Sequence, residues 1–206
     1  LIFWIYPLFS TVTMSFQDIK PGQVEWVGLE NYTKLLKDSV FHTAISNSAI
    51  YMVLSILLLI PFPMLFAVLM DSNLVKAKGV WKALLYLPAL TSVVISGTLF
   101  RLMFSEYSTG QMNVILQWLG QDPIPWLKGR ETAMFALLVL CCWRWTGVNM
   151  LYFISGLKSI DKTLYESAEI DGANSWKKFR YVTIPLLKPT TVYVVTISIY
   201  AGLAMF

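Results

Sequence analysis

Two stretches of this chain hold polar chemistry that their surroundings lack. The first, Trp143-Arg144-Trp145-Thr146-Gly147-Val148-Asn149, lies inside an apolar run. Aromatic rings offer flat apolar faces for stacking while amides and hydroxyls supply hydrogen bonds, the division of labour of a small-molecule pocket. A guanidinium in the same run is costly in hydrocarbon and tends to face a bundle interior or a wet cavity. Trp143, Arg144, Trp145 and Asn149 are therefore candidates to line a solute path, with Ser198 in a later apolar stretch as a further one. A plainer reading stays open, in which the tryptophans pack or sit at the membrane interface and Arg144 pairs with a neighbouring subunit.

The second stretch, Leu164 to Pro189, is a polar island between two apolar segments. Thr163-Leu164-Tyr165-Glu166 has capping-box spacing and predicts the start of a short helix. Asp171-Gly172 ends that helix after Ile170, because glycine takes positive φ freely and the aspartate accepts local backbone hydrogen bonds. Asn174 or Ser175 then caps a basic helix through Trp176, Lys177, Lys178, Phe179 and Arg180, which ends or kinks near Pro185. A loop with basic flanks also fits a simple headgroup anchor.

Other chemistries are absent from the sequence. No glycine-rich phosphate loop precedes a Gly-Lys-Ser or Gly-Lys-Thr, so this signature of ATP binding is missing from the sequence. Every Asp and Glu falls in a loop or at the edge of an apolar stretch, which argues against an ion-coupled secondary transporter. His42 is the single histidine, in a polar loop, and makes a poor general base. Cys141 and Cys142 are neighbours in an apolar run, with neither metal nor disulfide spacing. With 206 residues, 56% hydrophobic and 14% charged, and a mean hydropathy of +0.60, the chain reads as an integral membrane protein. Its net charge of +4 is scattered, which fits membrane-proximal charge and not nucleic-acid binding.

The elements that must position these residues are membrane spans, expected at about 1–16, 44–70, 80–104, 131–154 and 190–206, since roughly 20 apolar residues cross a bilayer. Pro61 and Pro63 interrupt the second, and Pro88 and Gly97 predict a kink in the third. Residues 17–42 form a polar segment that carries Pro21-Gly22 and then an interfacial helix that Asn31 caps and whose face holds Tyr32, Leu35, Leu36 and Val40. Lys76, Lys78, Lys82, Lys158, Lys162, Lys177, Lys178, Arg180 and Lys188 collect on one side, against Lys20, Lys34, Lys37, Lys128 and Arg130 on the other. The first side is therefore cytoplasmic, and the 155–189 loop with it. The apolar residues at both ends make the sequence look truncated at both termini.

Glu166-Ser167-Ala168, Gly172 six residues after the glutamate, and Val182-Thr183-Ile184-Pro185 resemble the EAA loop of the membrane subunits of binding-protein-dependent ABC importers. Ser167 stands where the family has alanine, and Val182 and Ile184 replace its closing isoleucine and leucine. Asp171-Gly172-Ala173, Phe179, Pro185-Leu186-Leu187-Lys188-Pro189 and, more weakly, Trp26-Val27-Gly28-Leu29-Glu30-Asn31-Tyr32 are similar to the sugar-uptake branch. The resemblance implies an all-α polytopic membrane protein, a single domain over 1–206 with the type I (MetI-like) permease fold. It implies a sugar or, as alternative, glycerol 3-phosphate as solute, and a bacterial inner-membrane location. Its partners would be a second permease subunit, an ATPase dimer that binds ATP and Mg, and an extracytoplasmic solute-binding protein, with no cofactor in this chain. Glu166, Ala168, Asp171, Gly172 and Pro185 would form the coupling element in the 155–189 loop. The same resemblance places Trp143, Trp145 and Asn149 in the helix that lines the translocation cavity.

Overall fold

In the computed structural model, which describes residues 2–72 and 74–203, the chain up to Ser48 forms one unit and the chain from Ala49 onward another. The first unit opens with α1, Ile2–Met14, which contains Pro7. The stretch expected as a plain loop then holds a β-hairpin. Strand β1, Gln17–Lys20, pairs antiparallel with β2, Gln23–Trp26, Gln17 opposite Trp26. Pro21-Gly22 makes the two-residue turn, with Gly22 at φ +82°, a conformation that only glycine adopts without penalty. Phe16 closes the hairpin's foot, stacking on Trp26 at 5.7 Å and meeting Tyr32 at 5.5 Å.

Helix α2, Glu30–Lys37, differs from expectation at its start. Leu29 occupies the cap position without a side-chain bond, while Asn31 Nδ2 reaches back to the carbonyls of Ser15 and Gln17, both at 3.0 Å. Asn31 fastens the helix to the hairpin and does not cap it. Val40 belongs to the next helix, α3, Ser39–Leu59, which begins where Asp38 Oδ1 accepts from the Val40 N–H at 2.8 Å. His42 is tied locally, its Nε2 2.8 Å from the Leu36 carbonyl.

The second unit is built on α8, Arg130–Lys158, and α4, Pro61–Asp71, which pack along one another. Pro61 opens α4 and, with Pro63, interrupts the helical hydrogen bonding where α3 runs on into α4. Met64, Ala67 and Met70 of α4 meet Met150, Phe153, Ile154 and Leu157 of α8, and Leu187 and Val194 complete this core. Tyr51 and Leu59 of α3 pack on Met134, Leu138 and Cys141 of α8.

The third apolar stretch is a broken pair. Helix α5, Lys78–Tyr86, passes through a 3-10 turn at Leu87–Leu90, and α6, Val93–Met103, restarts at 97° to it. Pro88 lies in the turn, but Gly97 sits inside regular α6 and plays no part in the bend. The restart belongs to Ser92, which is extended and accepts from the Ile95 N–H at 3.3 Å, a helix cap. Helix α5 crosses α8 at Gly147, where a Cβ would run into the Leu85 carbonyl and the Tyr86 nitrogen. Helix α7, Gln111–Trp118, is held by the fully buried Asn113, which donates to the carbonyls of Ser105, Tyr107 and Ile124 and accepts from Ile124 N–H and Trp126 Nε1–H.

The chain ends in short helices α9, Lys162–Ile170, and α10, Ser175–Lys178, a π turn at Phe179–Thr183, the single turn α11, Ile184–Leu186, and α12, Lys188–Leu203. Among the described residues two helices are long and apolar enough to cross a bilayer, Ser39–Asp71 and Arg130–Lys158. The α5–α6 pair and the pair Ser175–Leu186 with Lys188–Leu203, bent by 61°, raise that to four if each is one span. Leu1 and residues 204–206, which the expected first and fifth spans include, lie outside the described residues.

Candidate functional site

The polar hairpin is assembled almost wholly by local backbone chemistry. Helix α9 begins earlier than the Thr163–Glu166 spacing predicts, because Asp161 is its cap and accepts from the Thr163 N–H at 2.9 Å. Hydrogen bonds from the Thr163 backbone and side chain hold the Asp161 carboxyl below the ordinary aspartate range. Glu166 is consequently in the second turn, exposed, and takes no part in capping.

The end of α9 is a Schellman motif. The Ala173 N–H bonds to the Ala168 carbonyl at 2.9 Å and the Gly172 N–H to the Glu169 carbonyl at 3.0 Å, with Gly172 left-handed at φ +77°. Ala168 thus supplies a carbonyl, and Asp171 and Gly172 set the exit direction. Asn174 Oδ1 caps α10 by accepting from the Lys177 N–H at 2.9 Å. Pro185 lies within α11, just past the π turn. Across the hairpin Lys178 meets Glu169 at 2.9 Å and the Tyr165 hydroxyl meets Thr183 Oγ1 at 2.9 Å. Ile170 is 88% exposed and Trp176 68% exposed, so the hairpin shows apolar surface as well as basic charge.

The solute-path candidates separate into groups. Trp145 and Asn149 of α8 and Ser198 of α12 share one cavity with Tyr51, Ser55 and Cys141, of about 90 Å³. That is well below the ~300 Å³ at which small-molecule pockets begin. Trp143 points elsewhere, against Phe100 at 5.4 Å, and lines a different recess with Phe62, Phe66 and Leu84. Arg144 donates to Ser96 Oγ at 3.4 Å and lies over the Trp145 ring at 5.7 Å from its centroid. Ser96 is itself linked to Thr91 at 2.7 Å, so the guanidinium reaches the α5–α6 break.

Asn149 also has a structural duty. Pro63 has no N–H for the carbonyl four residues back, that of Leu59, and Asn149 Nδ2 donates to that carbonyl at 3.4 Å. Replacing Asn149 by leucine leaves a buried carbonyl unpaired, at a cost of about 1–3 kcal/mol. The detergent-purified variant should unfold at a clearly lower temperature than wild type, and an unchanged transition temperature would refute this assignment.

The family described as binding-protein-dependent transport system inner membrane component matches residues 2–206. The chain belongs to this family. As an inner membrane component it is 48% identical over 206 residues to the arabinooligosaccharides transport system permease protein AraP of Bacillus subtilis, covering all of this chain and 66% of that protein. It is 30% identical over 207 residues to the lactose transport system permease protein LacF of Rhizobium radiobacter, covering all of this chain and 69% of the relative. The inner membrane component also superposes on a crystal structure of a bacterial ABC transporter involved in the import of the acidic polysaccharide alginate. The TM-score is 0.85 at 27% identity, over 99% of this chain and 69% of that one. The fold is therefore that of an importer permease, and the protein is a membrane protein. The chain spans about two thirds of the length of the relatives it matches.

Sequence reasoning missed Asp161, Ser92, Asn113 and the Tyr165–Thr183 pair. Asp161 and Ser92 carry a readable signal, a cap-forming residue ahead of a helical run. The other three depend on partners that the chain brings together only on folding.

Proposed function

We propose that this inner membrane component is the permease subunit of an ATP-driven importer that moves a saccharide handed over by an extracytoplasmic solute-binding protein. It sits as a multi-pass protein in the bacterial inner membrane, beside a second permease subunit. It docks through the 155–189 loop on an ATPase dimer, which binds the ATP and Mg. The observation that carries this reading is the hairpin: a capped helix, a Schellman glycine and a capped basic helix that present Ile170 and Trp176 to solvent. Ile170 and Trp176 are exposed outside the apolar spans, beside Lys177 and Lys178, which gives the hairpin a mixed apolar and basic surface for a partner. The sugar-permease names of its relatives support the solute class.

The mechanism is a lever. Closure of the ATPase dimer moves the docked hairpin, and the α8 core that packs on Leu187 and Val194 conveys the movement to the cavity beside Trp145, Asn149 and Ser198. At about 90 Å³ that cavity is smaller than a sugar needs, so passage requires the helices around it to move apart.

Reconstituted vesicles holding both permeases, the ATPase and the binding protein should take up saccharide with ATP and without an ion gradient; uptake that needs the gradient would overturn the reading. For the path itself, Cys141 and Cys142 are first replaced by serine. Trp145→Cys and Ser198→Cys should then react with a hydrophilic thiol reagent during ATP turnover and be shielded by saccharide. Labelling only by lipid-soluble reagents at both positions removes them from the path. Arg144, with no carboxylate in ion-pair reach among the described residues, favours a second reading, an anionic solute such as glycerol 3-phosphate; competition in the same uptake assay decides between them.

A further inference from the structure

We infer that Tyr165 and Thr183 form the joint through which movement of α9 enters the membrane core, a positioning role that rests on the coupling function proposed above. Two side-chain links cross the hairpin among the described residues, and they are unequal. The Glu169–Lys178 ion pair at 2.9 Å has its carboxylate exposed, and surface pairs of this kind hold little. Tyr165 Oη and Thr183 Oγ1 meet at 2.9 Å, and Thr183 is only 5% exposed. A hydrogen bond made in that setting is expensive to leave unmade, because the buried partner has no water to turn to.

The donors and acceptors form a directed chain. Thr183 Oγ1 donates to the Lys178 carbonyl at 3.4 Å, which leaves its lone pairs to accept from the tyrosine O–H. Both Lys178 and Thr183 border a widened turn, in which the Ile184 N–H bonds back to the Phe179 carbonyl, five residues away. Such π turns hold one residue more than an α-helix would, and they recur at functional positions. Closing the turn to α geometry advances the helix after it by one residue, about 100° of rotation and about 1.5 Å of rise.

The segment after the turn is already built into the core. The Thr183 carbonyl accepts from the Leu187 N–H at 3.0 Å, and Leu187 is fully buried among Met150, Phe153, Ile154 and Val194. Phe179 and Ile184, on the turn's two sides, pack against the same cluster. Tyr165 is therefore placed so that a pull on α9 acts directly on the turn that carries Ile184 and Leu187 into the core.

The test uses the assembled importer with its ATPase and binding protein. Tyr165→Phe and Thr183→Val should each lower binding-protein stimulation of ATP hydrolysis about fivefold, the scale of one buried hydrogen bond. The double variant should be no worse than either single one, the signature of a shared interaction. Thr183→Ser, which keeps the hydroxyl, should restore stimulation, and Glu169→Ala should leave it near wild type. The ATPase should co-purify in wild-type amount throughout. Undiminished stimulation in both single variants, or losses that multiply in the double variant, would overturn the joint. So would loss of the ATPase from the complex, which would make Tyr165 a docking residue. A wild-type complex that binds no ATPase, or is never stimulated, overturns the coupling reading itself.

Discussion

Gly147→Val should yield little or no folded protein, and Gly147→Ala a protein that unfolds well below wild type. At the crossing of α5 and α8 the glycine hydrogen faces the Leu85 carbonyl, and a methyl group there would overlap that oxygen and the Tyr86 nitrogen. A long side chain can swing aside from such a collision. A helical backbone cannot, so the two helices must separate along their length, and overpacking of this kind costs about 1–3 kcal/mol or more. The control is Gly97→Ala in α6, whose added Cβ would meet nothing within 4 Å. There the substitution should hold or raise stability, because alanine favours a helix interior over glycine by roughly 0.5–1 kcal/mol. Thermal unfolding and size-exclusion profiles of the three purified proteins measure this. Equal transition temperatures for Gly147→Ala and wild type would mean that the α5–α8 approach is looser than described.

Gly172→Val should leave insertion and yield intact and yet sever ATP hydrolysis from the substrate signal. Gly172 stands at φ +77° with open space where its Cβ would be, so the penalty is purely one of backbone conformation. A left-handed residue other than glycine costs roughly 1–2 kcal/mol, and a β-branched one is a genuine outlier there. The helix escapes the strain by breaking the Ala173–Ala168 and Gly172–Glu169 bonds, which re-aims α10. Gly172→Asn, which tolerates the left-handed region better, should retain most of the coupling. Glu166→Ala, by contrast, removes an exposed charge from the second turn of α9 without strain, and should weaken ATPase binding while leaving the hairpin's shape alone. Co-purified ATPase and stimulated hydrolysis are the readouts; normal values for both in Gly172→Val and Glu166→Ala would sink the docking assignment.

The parts of this hairpin that were legible in the sequence are the parts that neighbours along the chain decide. Gly172 as a corner and Asn174 as a cap follow from local chemistry, and both stand where that chemistry puts them. The same local reading misled at Thr163, where a plausible capping box lies inside a helix that Asp161 had already begun. Asn31 failed for a related reason: it has the right side chain for a cap, but the carbonyls of Ser15 and Gln17 offered it better employment. The split between Trp143 and Trp145 needed only helical geometry, since two residues turn about 200° around the axis. The contact of Asn149 with Leu59, 90 residues away in sequence, needed the fold. So did the π turn, which no residue type specifies.

The length of helix α8 is also a matter of leverage and bilayer thickness. Its 29 residues make a rod of about 43 Å, against a hydrocarbon layer of about 30 Å. A rod that overshoots its slab can lean, and a lean of about 5° carries one end about 4 Å past the other. Arg144 is its midpoint, with Trp145 beside it and Asn149 little more than a turn away, while Leu157 at one end is seated in the core that the hairpin feeds. The cavity residues therefore stand near the middle of the rod, and the length in excess of the hydrocarbon layer falls at its ends. A membrane that is thinner or thicker than usual would change the resting lean of the rod without touching a single residue of the cavity.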